Sequence, residues 1–310
     1  MSRLQVCTSA LDLIGETPIL HLRSYDRPRA ASIFAKLEFL NPGGSVKDRA
    51  ALGMIQEADK RGLLRPGSTI VEPTAGNTGI GLALVGTLRG YKVILVVPEK
   101  YSREKKQIMT ALGASLVSTP TADGMPGALK KAQEIAAATP GGYLPQQFEN
   151  PANPEIHYRT TAREIWQQMQ GKIDALVLGA GTGGTITGVT RYVKERNPGV
   201  RSVLVESEGS VLGGGTAAPH KVEGIGNSFM PKILDRSLID EVVAVTDRDA
   251  FATALLLARR EGLLVGGSSG AAAFAAARVA EQIGAGRKIV TLFPDIAERY
   301  VSQGIFDEVQ

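Results

Sequence analysis

The chain has one cysteine, Cys7, in 310 residues. A single thiol excludes an intramolecular disulfide framework and any cysteine-rich metal site. Histidine is nearly as scarce: His21, His157 and His220 lie far apart, at none of the spacings that ligate a metal. No apolar run reaches the roughly 18 residues that a membrane span needs. The N-terminal stretch MSRLQVCTSALDLIGETP has no long apolar segment ending in a small-residue cleavage site. A cytoplasmic protein with no membrane partner is therefore expected. Charge of one sign is also lacking, since 35 Lys and Arg stand against 31 Asp and Glu, for a net charge of +4. The basic residues alternate with Glu in stretches such as YSREKKQIM and RYVKERNP, which reads as solvated helix faces. Nucleic acid is not an expected partner.

Apolar residues are plentiful at 43%, enough for a sizeable core. Glycine is in excess, with 36 residues, against an average of roughly 7% in globular chains. No collagen period or low-complexity tract accounts for it.

Short β-branched runs fall at 31–38, 68–73, 92–98, 114–120, 174–181, 201–207, 241–246 and 287–294. Helical apolar spacing lies between most of them, at Ser45–Arg61, Thr78–Arg89, Ser102–Leu112, Gly127–Thr139, Pro154–Met169, Thr185–Arg196, Asp247–Glu261 and Gly270–Ile283. Runs with little polar alternation read as strands buried on both faces, and strand–helix alternation implies parallel sheets covered by helices. The uneven strand spacing favours two doubly wound α/β domains over a single barrel. GGYLPQQFENPANPE (141–155), rich in Gly, Pro and Asn, reads as a crossing between them.

Four glycine-rich loops carry the chemical signal. In NPGGSVKDR (41–49) a turn and Ser45 lead into a helix whose first turn holds Lys47. An isolated lysine there is ordinarily a surface residue. A helix N-terminus is already positive, however, so the position favours the neutral, nucleophilic amine of a functional lysine. EPTAGNTGIGLAL (72–84) follows a strand and opens a helix, and its run of polar and glycine residues exceeds what a cap requires. Such a loop suits a carboxylate or a phosphate.

GAGTGGTITG (179–188) satisfies G-x-G-x-x-G at Gly179, Gly181 and Gly184, with Glu206 about twenty residues further on. That is both the dinucleotide fingerprint and a general phosphate cup, with the Thr182 and Thr185 hydroxyls as added donors. The fourth, EGLLVGGSSGAAAFAAARVA (261–280), places Gly266, Gly267, Ser268, Ser269 and Gly270 before an Ala-rich helix. It reads equally as a tight turn and as a close approach of backbone to a flat ligand.

Taken together in this order, with LIGETPILHL, QQFENPANP, VEGIGNSFMP and FPDIAERY, these motifs resemble the fold type II pyridoxal-phosphate enzymes of the cysteine synthase and cystathionine β-synthase family. The likeness covers nearly the whole chain. VVPEKYSREKKQIMTALGA and FPDIAERY resemble the bacterial branch that makes cystathionine from O-acetylserine and homocysteine.

The resemblance implies a tryptophan synthase β-like fold. A smaller, mobile domain (46–150) would bind the substrate carboxylate, and a larger one (1–45 and 151–310) would bind the cofactor phosphate. The implied cofactor is pyridoxal 5′-phosphate (PLP). Lys47 would hold it as a Schiff base and act as the proton carrier. Asn77 would bond its 3′-oxygen, Gly181, Thr182, Gly183, Gly184 and Thr185 its phosphate, and Ser268 its ring nitrogen.

Thr74, Ala75, Gly76, Thr78 and Gln147 would grip the substrate carboxylate, with Gly224 in the loop facing the substrate amino group. The implied reaction is β-replacement on O-acetyl-L-serine or L-serine through an aminoacrylate. Homocysteine would give cystathionine and sulfide would give cysteine. The implied assembly is a homodimer.

Two positions depart from common patterns. Ala75 stands where many members have Ser. Glu223 stands where many sulfide-using members have Gln, and it reads either as a contact to the homocysteine amino group or as an ordinary carboxylate. Two alternatives remain: a nicotinamide-dependent oxidoreductase using Gly179–Gly184, and a cysteine synthase strictly specific for sulfide.

Overall fold

The computed structural model describes residues 6–74 and 76–307. The chain divides into two compact units, Met1–Glu16 with Leu40–Pro145, and Thr17–Phe39 with Gln146–Gln310. These limits differ from the expected 46–150. Gly15 donates to Asn41 Oδ1 at 2.8 Å and ties the N-terminal segment to the loop before Lys47. The strands after Glu16 pair with the larger sheet instead.

In chain order, β1 (Ile19–His21) and β2 (Ser32–Leu37) lead into the smaller unit. That unit holds α1 (Lys47–Lys60), β3 (Thr69–Pro73), α2 (Asn77–Leu88), β4 (Lys92–Pro98), α3 (Arg103–Ala111), β5 (Ser115–Thr119), α4 (Gly124–Ala138) and β6 (Gly142–Tyr143). The larger unit continues with α5 (Ala152–Arg159), α6 (Thr161–Gln168), β7 (Ala175–Gly179), α7 (Gly184–Lys194), β8 (Arg201–Ser207) and β9 (Glu241–Val245). It closes with α8 (Asp247–Glu261), α9 (Gly267–Ile283) and β10 (Lys288–Phe293).

The smaller sheet runs β5-β4-β3-β6, and all its pairings are parallel. The larger runs β1-β2-β10-β7-β8-β9, parallel except for β1 against β2. Helices cover the sheets, so the central strands are buried on both faces: every residue of β3 is buried, Thr69 and Glu72 included, as are Ala175–Leu178 of β7. Each fully buried Val, Leu or Ile contributes about 1.5–3 kcal/mol to stability. In α9 the alanines at 271–273, 275 and 276 are buried. Their small side chains let α8 come so near that a Cβ on Gly270 would meet the Ala250 carbonyl at 2.0 Å.

Strand order fixes where loops open. In the smaller sheet the chain leaves β3 toward β4 and β5, then returns to β3's other side as β6. In the larger it leaves β7 toward β8 and β9, then returns to β7's other side as β10. Ligand crevices in doubly wound sheets lie beyond the carboxyl ends of strands where the order reverses. The loops at those two ends are Thr74–Gly76 and Ala180–Gly183.

Some elements differ from expectation. The helix expected over Pro154–Met169 breaks at Thr160 (φ −120°, ψ −76°), where the Ile156 carbonyl accepts from both the Thr160 amide at 3.0 Å and the Thr160 hydroxyl at 2.7 Å. The last long helix starts at Gly267, so Ser268 and Ser269 lie inside its first turn. The crossing segment contains β6, a two-residue strand paired with Thr69 and Ile70. Among the described residues no helix is long and apolar enough to cross a membrane.

Candidate active site

In the smaller unit Lys47 is the first residue of α1. The Ser45 hydroxyl accepts from the Lys47 amide at 3.3 Å, and Asp48 Oδ2 accepts from the Gly43 amide at 2.6 Å. Asp48 and Arg49 are themselves buried. The lysine's main chain is thus held from both sides. On its other flank α2 packs so closely that a Cβ on Gly81 would stand 2.8 Å from the Lys47 carbonyl oxygen.

Helix α2 begins directly after the Thr74–Gly76 loop. Thr74 is buried, and its hydroxyl oxygen accepts from the amides of Gly76 (3.2 Å) and Gly79 (3.1 Å). Thr74 therefore braces the loop, and its single hydroxyl proton is what it offers a ligand. Thr78 is buried in the first turn of α2, and Gly76 and Asn77 are half-buried. Ala75 lies outside the described residues.

Sequence reasoning passed over Lys105. Its stretch reads as a solvated helix face, yet Lys105 is 2% exposed and its Nζ lies 3.7 Å from a Cβ built on Gly76. A buried lysine side chain thus stands beside the loop proposed for a carboxylate. Ser102 caps α3 by accepting from the Lys105 amide, but nothing in the stretch itself separates Lys105 from its basic neighbours.

The larger unit assembles a second group. Gly183, the N-cap of α7, has φ +82°, a conformation that favours glycine. A Cβ there would meet Leu234 at 2.6 Å, one on Gly184 would meet Asn153 Oδ1 at 2.1 Å, and one on Gly181 would meet the Gly224 carbonyl at 2.4 Å. The Thr182 hydroxyl accepts from the Gly184 amide and from Asn153 Nδ2, each at 3.3 Å.

Gly224, at φ +89°, brings its α-carbon toward Ser268, whose Oγ lies 3.8 Å from a Cβ built there. Phosphate cup, Gly224 loop and Ser268 are thereby neighbours within one unit. Gln147 is buried beside the cup, with its carbonyl accepting from Asn153 Nδ2 at 2.8 Å. Glu223 is half-buried and accepts from Gln303 Nε2 at 2.9 Å. Asn153 and His157 of α5, which seat this cup, were not expected from sequence, although both lie in or beside the Asn- and Pro-rich stretch.

Glu206, the acid of the dinucleotide fingerprint, is buried and accepts from the Gly213 amide at 3.1 and 3.2 Å. It ties down a loop of its own unit. The model of the pyridoxal-phosphate dependent enzymes matches residues 10–295. The chain belongs to this family.

Its relatives agree over nearly full length. The chain is 48% identical to the O-acetylserine dependent cystathionine beta-synthase of Bacillus subtilis (strain 168), over 97% of this chain and 98% of the relative. It is also 48% identical to a cysteine synthase of Helicobacter pylori (strain ATCC 700392 / 26695), over 98% of this chain and 100% of that one. Among solved structures, the O-acetylserine dependent cystathionine beta-synthase from Helicobacter pylori superposes with a TM-score of 0.93 at 48% identity. That match covers 98% of this chain and 100% of the other. The cofactor of this family member is PLP, and a nicotinamide-dependent reading gives way.

The residues present fit PLP's phosphate. The Gly181–Thr185 loop presents a helix N-terminus, where amides and the helix dipole favour an anion. Its backbone packs closely at three positions, since a Cβ at 181, 183 or 184 would overlap Gly224, Leu234 or Asn153. Two threonine hydroxyls flank it.

Proposed function

We propose that the chain catalyses β-replacement on O-acetyl-L-serine, with homocysteine as acceptor to give L-cystathionine and sulfide as a second acceptor to give L-cysteine. The observation that carries this reading is the seating of Lys47 against Gly81 of the helix that begins with the Thr74–Thr78 loop. A lysine and a carboxylate-binding loop are thereby held in one rigid helix pair. That is the pairing needed to bind an amino acid and work at its α-carbon. The match to O-acetylserine-using relatives supports the donor assignment.

Bound PLP supplies an electron-accepting ring conjugated to the substrate's α-carbon. Lys47 Nζ anchors the cofactor, then takes the Cα proton and later returns it. The Gly76 and Thr78 backbone and the Thr74 and Thr78 hydroxyls hold the substrate carboxylate, with Gln147 as a further ligand. Asn77 orients the cofactor ring. The Gly181–Thr185 cup fixes the phosphate. The Ser268 hydroxyl donates to the ring nitrogen without protonating it, which limits electron withdrawal and favours loss of acetate over transamination. With the Cβ–O bond to acetate broken, Cβ is where an acceptor thiolate would form its C–S bond, with the proton returned to Cα by Lys47.

Glu223 is proposed to bear on acceptor choice, since it adjoins Gly224 and is steered by Gln303. The near-equal likeness to a cysteine synthase supports a second reading, an enzyme strictly specific for sulfide. Comparison of kcat/KM for homocysteine and for sulfide with O-acetylserine, with L-serine as control donor, tests both. Turnover of homocysteine to cystathionine is the expected result. Turnover of sulfide alone would establish the second reading. A cytoplasmic homodimer is proposed from the family resemblance, and light scattering of the purified protein checks the assembly.

A further inference from the structure

Helices α5 and α7 cross in direct contact. A Cβ on Gly188 would stand 2.2 Å from the Pro154 carbonyl and 2.8 Å from His157 Cβ. Position 185 lies three residues before 188, on the same face of α7. The crossing therefore sets the His157 ring directly beneath Thr185. His157 is 1% exposed, its Nε2 lies 3.2 Å from Thr185 Oγ1, and its Nδ1 lies 2.9 Å from Thr161 Oγ1. Thr161 is also fully buried. The break at Thr160 restarts the chain as α6, and this second helix supplies the Thr161 hydroxyl.

The direction of these two bonds decides what Thr185 offers a ligand. A hydroxyl has one proton and two lone pairs. If the imidazole accepts from Thr185, that proton is spent and Thr185 turns lone pairs toward the cup. If Nε2–H donates to Thr185 Oγ1, the Thr185 O–H remains to donate outward. A phosphate dianion needs donors, so only the second arrangement serves it.

We propose that His157 is a positioning residue for the cofactor phosphate. It carries its proton on Nε2 and sets a relay in which Thr161 O–H donates to Nδ1, Nε2–H donates to Thr185 Oγ1, and Thr185 O–H donates to a phosphate oxygen. The relay rests on the assignment of Gly181–Thr185 to that phosphate.

The test uses the holoenzyme. With only three histidines in the chain, selective 15N-histidine labelling gives a simple spectrum, and the nitrogen shifts report which ring atom holds the proton. The expected result is protonated Nε2 in His157. A proton on Nδ1 alone overturns the relay.

Equilibrium release of PLP, followed by its fluorescence, gives the second readout. Loss of one hydrogen bond to a charged group weakens binding about 10-fold or more. Thr185→Val and His157→Leu should each do so and should move the 31P resonance of the bound phosphate. Their effects should not add, because His157 acts through the Thr185 hydroxyl. His157→Gln, whose amide N–H can replace Nε2–H, should restore part of the affinity. The isosteric Thr161→Val guards against misfolding of the His157 variants and should weaken PLP binding in the same direction.

If Thr185→Val leaves PLP affinity unchanged, the phosphate assignment itself fails. If Thr185→Val weakens binding while His157→Leu costs as much with valine at 185 as with threonine, the cup stands and the relay is wrong.

Discussion

The carbonyl oxygen of Lys47 lies against the α-carbon of Gly81, where a β-carbon would stand 2.8 Å away. The contact is backbone on backbone, so neither partner can swing aside. It fixes the first turn of α1 to the helix that carries Asn77 and Thr78. Gly81→Ala must push the two helices apart. Overpacking of this kind costs about 1–3 kcal/mol, and a displacement of about 1 Å at a reacting group costs about 100-fold in rate. The expected variant is folded, binds PLP and turns over at a small fraction of the parent kcat. A variant with unchanged kcat would show that Lys47 does not depend on this contact.

Lys47→Ala should abolish β-replacement and leave the fold intact, because Lys47 is half-buried at the first position of its helix, where alanine is readily accommodated. Borohydride should bleach the parent protein's visible absorbance with retention of the cofactor, and should leave no cofactor attached to the variant. Retained steady-state turnover would remove Lys47 from the mechanism.

The eight strands expected from apolar runs are all present, because the positions that helices cover are mostly apolar and make each run stand out from its neighbours. The strands that were missed are β1 and β6, of three and two residues. Both are too short to show a period. The glycine loops were legible because close backbone packing leaves only one residue type possible at positions such as Gly184 and Gly81. Lys105 and His157 were not legible. A lysine in a basic stretch and a histidine in a Pro-rich stretch acquire meaning only when α3 and α5 are packed beneath the loops they serve. Thr160 shows the same limit from the other side, since a helical apolar pattern continues across a break in the backbone at one residue.

Thr74 separates loop shape from ligand contact. Its oxygen accepts from the Gly76 and Gly79 amides, while its methyl fills the space that a Cβ on Gly79 would enter at 2.5 Å. Thr74→Val keeps the shape but takes the hydroxyl acceptor from the half-buried Gly76 amide, while the Gly79 amide keeps its bond to the Gly76 carbonyl at 3.0 Å; the loss costs about 1–3 kcal/mol. Thr74→Ser keeps the acceptor and loses the methyl. KM for O-acetylserine should rise at least about tenfold in the valine variant, equivalent to about 1.4 kcal/mol, and much less in the serine variant. PLP content should stay unchanged in both. A larger effect in the serine variant than in the valine variant would mean that the methyl, not the hydroxyl, holds the loop.

Tyr25 sets an alkaline limit on stability. Burial, then the charge of Glu261, raises its hydroxyl from 10.0 to about 12 against the opposing pull of Arg260 and Arg27. The buried oxygen has no hydrogen-bond partner among the described residues. Below pH 10 both folded and unfolded chains keep the proton, so the full contribution is present. Between pH 10 and about 12 the unfolded chain loses its proton while the folded chain retains it. The folded state then binds more protons, and stability must fall as pH rises. Tyr91, bonded to Asp59, and Tyr158, bonded to Glu195, are shifted in the same direction. Tyr25→Phe removes the largest of these terms together with an unsatisfied hydroxyl. The variant should match or exceed the parent at neutral pH and lose less stability above pH 10, as read from urea midpoints on both sides of that value. A parent and variant with the same alkaline slope would show that Tyr25 ionises as readily in the folded chain as in the unfolded one.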